Sequence, residues 1–185
     1  MRVIAGIHRG RHLLGPNSKD IRPTADRVRE SIFNVLGQHF DGLQVLDLFA
    51  GTGAMALEAL SRNAVSALLV DKHLDAVSLC KKNIANLGLE AQSEVWHMDA
   101  FAALSRCKTQ NRRFELVFAD PPYAFQNWGG LWLSLLKEEV LTPEGRVVIE
   151  RDRRSLLPPL PPALSLQREM KFGDTLVSIL LHSPC

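Results

Sequence analysis

Residues 44–62 read QVLDLFAGTGAMALEALSR: an apolar run, a turn carrying glycines at 51 and 53, then a stretch of helical period. A strand that turns sharply into a helix begins an α/β unit. Gly51 and Gly53 let the backbone turn tightly and approach a ligand, while the start of the helix presents free amides beside them. Such a turn alone is as compatible with a purely structural role as with a ligand loop. The segments around it decide between the two.

Downstream, short apolar runs alternate with longer helical ones. SALLVD (66–71), SEVWHMD (93–99), FELVFAD (114–120) and RVVIER (146–151) read as four more strands, the last introduced by the turn TPEG (142–145). LDAVSLCKKNIANLG (74–88) reads as a helix with Val77, Cys80, Ile84 and Leu87 on one face and Gly88 as its cap. WLSLLKEEVL (132–141) reads as another. SLQREMKF (165–172) and DTLVSILLH (174–182) follow with no helix between them, and their link, Gly173-Asp174, suits a tight antiparallel hairpin. The pattern predicts an α/β fold with a mostly parallel seven-stranded sheet, helices on both faces and an antiparallel C-terminal hairpin strand. LLPPLPPAL (156–164) is too rich in proline for an element interior and reads as a surface connection.

Upstream, GIHRGRHLLGP (6–16) suggests a short hairpin, and TADRVRESIFNVLGQHF (24–40) a helix entered through Pro23 and burying Val28, Ile32, Val35 and Leu36. Residues 1–40 are therefore expected to form a basic extension and residues 41–185 the main domain. The chain has 185 residues, of which 46% are apolar and 23% charged, in keeping with one globular unit. No apolar run is long enough to span a bilayer, and the N-terminus lacks the continuous apolar centre of a signal peptide, so a cytoplasmic protein is expected. Three cysteines far apart, with no Cys-x-x-Cys pair, suggest neither a disulfide framework nor a zinc site. The net charge is +2, yet residues 1–35 hold seven basic side chains against three acidic ones, leaving the remainder net negative. This asymmetry suits a phosphate-rich partner as well as it suits a solvated basic face.

The chemistry-bearing residues collect at one edge. Asp71 ends the second strand and Asp99 the third, so in a parallel sheet both carboxylates emerge beside the glycine turn. One can accept the hydroxyls of a ribose and the other the amino group of an adenine; each could equally cap the helix that follows it. NAD would satisfy the same features, since Ala56 stands at the third position of a G-x-G-x-x-G/A pattern. The fourth strand separates these readings. There FADPPYAF (118–125) places Asp120 at the carboxyl edge, followed by Pro121 and Pro122, which lack N–H groups and leave carbonyls for a guest, and by the flat ring of Tyr123. Two acceptors and a stacking surface match an exocyclic amine on a base. Accepting both N–H hydrogens localises the nitrogen lone pair and aims it at an electrophilic methyl group, for which the donor would be S-adenosylmethionine.

VLDLFAGTG (45–53) with DPPY (120–123) resembles the amino-methylating branch of the Rossmann-like, class I S-adenosylmethionine-dependent methyltransferases. RVIAG (2–6), RGR (9–11), RPT (22–24), DRVRES (26–31) and EALSR (58–62) extend the resemblance nearly end to end, to the RsmD family. That resemblance implies transfer of a methyl group to the N2 amino group of one guanine in 16S rRNA. It implies cofactor contacts at Asp47, Phe49, Gly51, Gly53, Asp71 and Asp99, with Arg22, Pro23 and Thr24 closing over the cofactor. It places Asp120, Pro121 and Tyr123 around the guanine, and Arg9, Arg11 and Arg27 on RNA. Ala56 and Asn63 depart from the glycines expected at those positions. A domain this small has little surface for reading sequence, so the expected substrate is 16S rRNA in a partly assembled small ribosomal subunit, with an unpaired or extruded target base. DNA is not expected as a partner, because no residues are spare for a target-recognition region, although a DNA or other RNA amino-methyltransferase is the alternative within the same chemistry.

Overall fold

The computed structural model describes residues 1–15, 23–122 and 124–184. Helix α1 (Pro23–Leu36) precedes strand β1 (Gln44–Asp47), helix α2 (Ala54–Ser61), strand β2 (Ser66–Asp71), helix α3 (Leu74–Leu87) and strand β3 (Ser93–His97). Helix α4 (Ala100–Thr109), strand β4 (Phe114–Ala119), helix α5 (Trp128–Lys137) and strands β5 (Leu141–Asp152), β6 (Leu164–Phe172) and β7 (Thr175–His182) complete the chain. The sheet has seven strands in the order β3-β2-β1-β4-β5-β7-β6. β1 to β5 pair in parallel, and β7 runs antiparallel to both β5 and β6. The expected fold class is observed, and the chain order reverses between β1 and β4, where a ligand crevice opens at the carboxyl ends of an α/β sheet.

Alternation along the strands sends side chains to two cores. On one face Val45, Leu69, Leu116, Phe118 and Val148 pack with Val28, Phe33, Leu57 and Ile84 of α1, α2 and α3. On the other Leu46, Leu68, Val117, Val147 and Ile149 pack with Leu104, Trp128 and Trp132 of α4 and α5. Val3, Leu13, Ile32, Leu36 and Phe40 belong to the first core, so residues of the N-terminal extension share buried surface with the sheet. Among the described residues, no helix is long and apolar enough to cross a membrane.

Four local expectations need correction. Val35 is 42% exposed and Phe33 is buried in its place, because rotating α1 lets the larger ring meet Phe40 and Phe118 at centroid distances of 5.4 and 5.8 Å. Helix α4 was not separately expected, although Ala100, Ala103, Leu104 and Cys107 form one buried stripe. α5 starts at Trp128 rather than Trp132, since the Asn127 side chain caps it by accepting from the Gly130 amide at 3.2 Å. TPEG lies inside β5: Phe114 pairs with Leu141 and Leu116 with Arg146, so the extra residues bulge out, with Glu144 at φ 61°.

Candidate active site

The glycine turn joins β1 to α2 at the switch point. Gly51 (φ 54°) and Gly53 (φ 79°) both occupy the left-handed region. Their surroundings differ: a Cβ on Gly53 would lie 2.8 Å from Leu69 Cδ2, whereas one on Gly51 would meet no heavy atom within 4 Å. Gly53 is therefore required chiefly by its backbone angle, a Cβ there needing only a shift of the Leu69 side chain, and Gly51 borders open space. Asp71 braces the turn, accepting from Gly51 N through Oδ2 and from His73 N through Oδ1, each at 2.9 Å. The fully buried Asn83 supports it from behind, donating to Thr52 O at 2.8 Å and Leu14 O at 3.1 Å while accepting from Leu14 N at 2.7 Å.

A cleft of about 750 Å³ opens beside this turn, large enough for a nucleoside-sized ligand together with a second ring. Gly51, Phe49, Asp71, Asp99, Asp120 and Pro121 all line it, so six of the residues expected around cofactor and base meet in one cavity. Asp99 caps α4, with Oδ1 accepting from Phe101 N at 2.8 Å. Capping does not exclude a ligand, because a carboxylate has more acceptor sites than these amides occupy. A smaller cavity of about 280 Å³ adjoins the cleft on the α1 side and is lined by Val28, Arg29, Asp47, Thr52, Asp120 and Glu150, among others. Phe49, Gly51, Asp120 and Glu150 border both spaces.

Strand register explains that convergence. Ala119 on β4 pairs with Ile149 on β5, so Asp120 and Glu150 are the next neighbours along the two strands. By alternation they stand on the same face as Phe118 and Val148, which is also the face of Asp47. Burial pushes the Asp47 carboxyl up to about 7; amides of Phe49 and Ala56 oppose that rise and Asp71 adds to it. Asp120 reaches solvent through the cleft yet is crowded by protein, and this burial, with Glu150 and then Asp47, holds its carboxyl well above the usual range. Burial raises Glu150 as well. Three neighbouring strands thus bring acids to one place where a cation would ease their ionisation.

One expectation about DPPY changes. The Pro122 carbonyl closes a turn by accepting from Phe125 N at 2.8 Å, and Asp120 and Pro121, which both line the cleft, keep their acceptors uncommitted among the described residues. Phe125 in turn forms a wall that the sequence reading did not assign: its ring lies 5.7 Å from Phe49 and 4.9 Å from Trp128, which stacks on Trp132 at 5.7 Å. Arg22 and Tyr123 lie outside the described residues. Pro23 and Thr24 begin α1, whose Val28, Arg29 and Ile32 reach the smaller cavity.

The family model described as conserved hypothetical protein 95 matches residues 1–181. Ribosomal RNA small subunit methyltransferase D of Escherichia coli (strain K12) is 37% identical over 178 residues, covering 94% of this chain and 86% of its own. YlbH of Bacillus subtilis (strain 168) is 38% identical over 179 residues, covering 97% of each chain. The chain belongs to the RsmD family. The solved structure of YhhF from Escherichia coli superposes with a TM-score of 0.85 at 31% identity, over 100% of this chain and 99% of that one.

Two separated signatures of this RsmD-family chain prove to be one structural unit. Glu58 of EALSR, fully buried, accepts from the amides of Ile4 (2.7 Å) and Ala5 (3.0 Å) in RVIAG, and Arg62 pairs with it at 2.9 Å. Ser61 donates to Ala5 O at 2.6 Å and accepts from His8 N at 3.0 Å, while a Cβ on Gly6 would overlap the Ser61 carbonyl. The N-terminal arm is a hairpin closed by the Arg2–His12 bridge, and its tip rests on the end of α2 remote from the glycine turn. Arg9 and Arg11 are exposed, with Arg11 donating to Asn86 O at 2.5 Å. Arg27 is exposed on α1. The RsmD-family chain therefore gathers residues expected around cofactor and base at one cleft, whose lining does not include Arg9 or Arg11.

Proposed function

We propose that this chain transfers a methyl group from S-adenosylmethionine to ribosomal RNA, specifically to the N2 amino group of one guanine in 16S rRNA of the assembling small subunit. The observation that carries the reading is the sharing of one cleft by Asp71, Asp99 and Gly51, which suit an adenosine, and by Asp120 and Pro121, which suit an exocyclic amine. The relative named ribosomal RNA small subunit methyltransferase D supports the choice of RNA. Bound S-adenosylmethionine supplies an electrophilic methyl group. Asp71 would hold the ribose hydroxyls and Asp99 the adenine amine; Asp47 faces the smaller cavity, where the methionine portion would fit.

Asp120 and the Pro121 carbonyl each accept one N–H of the target amine, and a ring stacks against the base, a role that Tyr123 would fill. Both hydrogens being held, the nitrogen lone pair is localised and directed along the line of attack. The amine would take the methyl group as the bound donor's carbon–sulfur bond breaks, and Asp120 or water would accept the surplus proton. Burial keeps Asp120 a better proton acceptor than an ordinary carboxylate.

Mass spectrometry of nucleosides from the ribosomal RNA of cells with and without the gene tests the reaction. Loss of one N2-methylguanosine is expected; an unchanged nucleoside profile overturns the reading. Comparing naked 16S rRNA with RNA carrying ribosomal proteins tests the assembly stage, and equal transfer rates would count against a partly assembled substrate.

A further inference from the structure

The segment after β5 stands at the mouth of the cleft. Arg151, Asp152 and Ser155 line that cleft together with Asp120 and Pro121. The backbone there is tied down: Arg153 N donates to Asp174 O (2.7 Å), Arg154 N to Asp152 Oδ1 (2.7 Å) and Ser155 N to Asp152 O (3.0 Å). Arg151 completes the brace, donating to Ser155 O at 2.7 Å and pairing with Glu169 at 3.0 Å. Farther along, Leu157 and Leu160 pack against the second core. Between these anchors three side chains point outward. Arg153 and Arg154 are exposed, and among the described residues neither side chain makes a hydrogen bond or ion pair; Leu156 is 90% exposed.

We infer that Arg153, Arg154 and Leu156 form an RNA-contacting rim, the arginines binding backbone phosphates beside the target nucleotide and Leu156 filling the gap that the extruded base leaves. The inference rests on the proposed RNA reaction. A base can enter the cleft only if the phosphates on either side pass over its mouth, and unpaired guanidinium forks are suited to phosphate oxygens. An apolar wedge offsets part of the lost stacking when a base leaves its helix. The prolines at 158, 159, 161 and 162 and the packed leucines limit the segment's freedom, so little ordering cost accompanies binding.

The test uses the full chain with S-adenosylhomocysteine and a fluorescent 16S rRNA fragment carrying ribosomal proteins, with anisotropy measured across salt concentrations. Arg153→Ala/Arg154→Ala should keep the circular dichroism and cofactor affinity of the wild type. It should lose about tenfold in RNA affinity near 0.1 M salt, and the slope of log affinity against log salt should shrink by about one and a half. Unchanged affinity and slope, or a wild type that does not bind the protein-carrying fragment, overturns the proposal. With 2-aminopurine as the target base, Leu156→Ala should lower the fluorescence gain that reports unstacking, and an unaltered gain removes the wedge. Methyl transfer by the wild type to the same protein-carrying fragment, followed in parallel with S-adenosylmethionine as donor, judges the reaction separately: RNA bound through the arginines but never methylated would sink the function and leave the rim standing.

Discussion

The buried carboxylate of Glu58 accepts the amide hydrogens of both Ile4 and Ala5, across more than fifty residues of chain. Helix α2, which begins at the glycine turn, is thereby fastened to the N-terminal arm at its other end. Glu58→Ala leaves Arg62 buried without its partner and two amides unsatisfied, so a loss of about 3–5 kcal/mol in unfolding free energy is expected. Urea denaturation measures it; a loss below about 1 kcal/mol would show that the arm docks without this carboxylate.

Asn83 should matter through the direction of its hydrogen bonds. Asn83→Asp keeps the acceptor for Leu14 N but faces the Thr52 and Leu14 carbonyls with a second acceptor. A destabilisation of about 1–3 kcal/mol is expected, together with weaker S-adenosylmethionine binding because Thr52 belongs to the glycine turn. Calorimetry would report both, and cofactor affinity equal to that of the wild type would separate Asn83 from the turn.

Replacing Asp120 should divide binding from transfer. Asp120→Ala is expected to bind S-adenosylmethionine within a few-fold of the wild type while methyl transfer falls by about 10²–10³. In the wild type, protonation of Asp120 removes an acceptor, so kcat/KM should fall toward acid with a limb above the ordinary carboxylate range. Glu150→Gln deletes the neighbouring negative charge that helps raise Asp120, so the limb should move to lower pH. A limb that stays in place rejects the coupling.

Asp47 predicts an unusual pH dependence of stability. Its carboxyl ionises at about 7 in the folded chain and near the ordinary value of 3.8 when unfolded. Between those values the unfolded state binds fewer protons, so the contribution of Asp47 is complete below about pH 4 and is lost as the pH rises through 7. Unfolding free energy should therefore decline from pH 5 to pH 8, and Asp47→Asn should flatten the decline. Parallel curves for the two proteins would refute the assignment.

Much of the cleft is legible in the sequence for one reason. Parallel strands all deliver their carboxyl ends to the same edge, so finding three strands with Asp71, Asp99 and Asp120 at or just beyond their ends already collects those acids, whereas Asp47 comes from the family resemblance. The glycine turn and the Gly173-Asp174 hairpin are equally local, because left-handed backbone angles at Gly51, Gly53 and Gly173 depend on residue type more than on distant packing. Phe125 and Trp128 escaped notice because they look like ordinary apolar residues until the turn after Pro122 stacks them beside Phe49.

By itself the sequence determined which segments alternate, where the chain turns and which chemical groups crowd the carboxyl edge, since period and backbone preference act over a few residues. Only the tertiary structure decided that RVIAG closes on EALSR, that α1 turns Phe33 inward and Val35 outward, and that the segment carrying Arg153 and Arg154, rather than Arg9 or Arg11, contributes Asp152 and Ser155 to the lining of the cleft. Those facts depend on contacts between residues far apart in sequence. A charge or a carboxylate shows its neighbours only when the chain has folded around it.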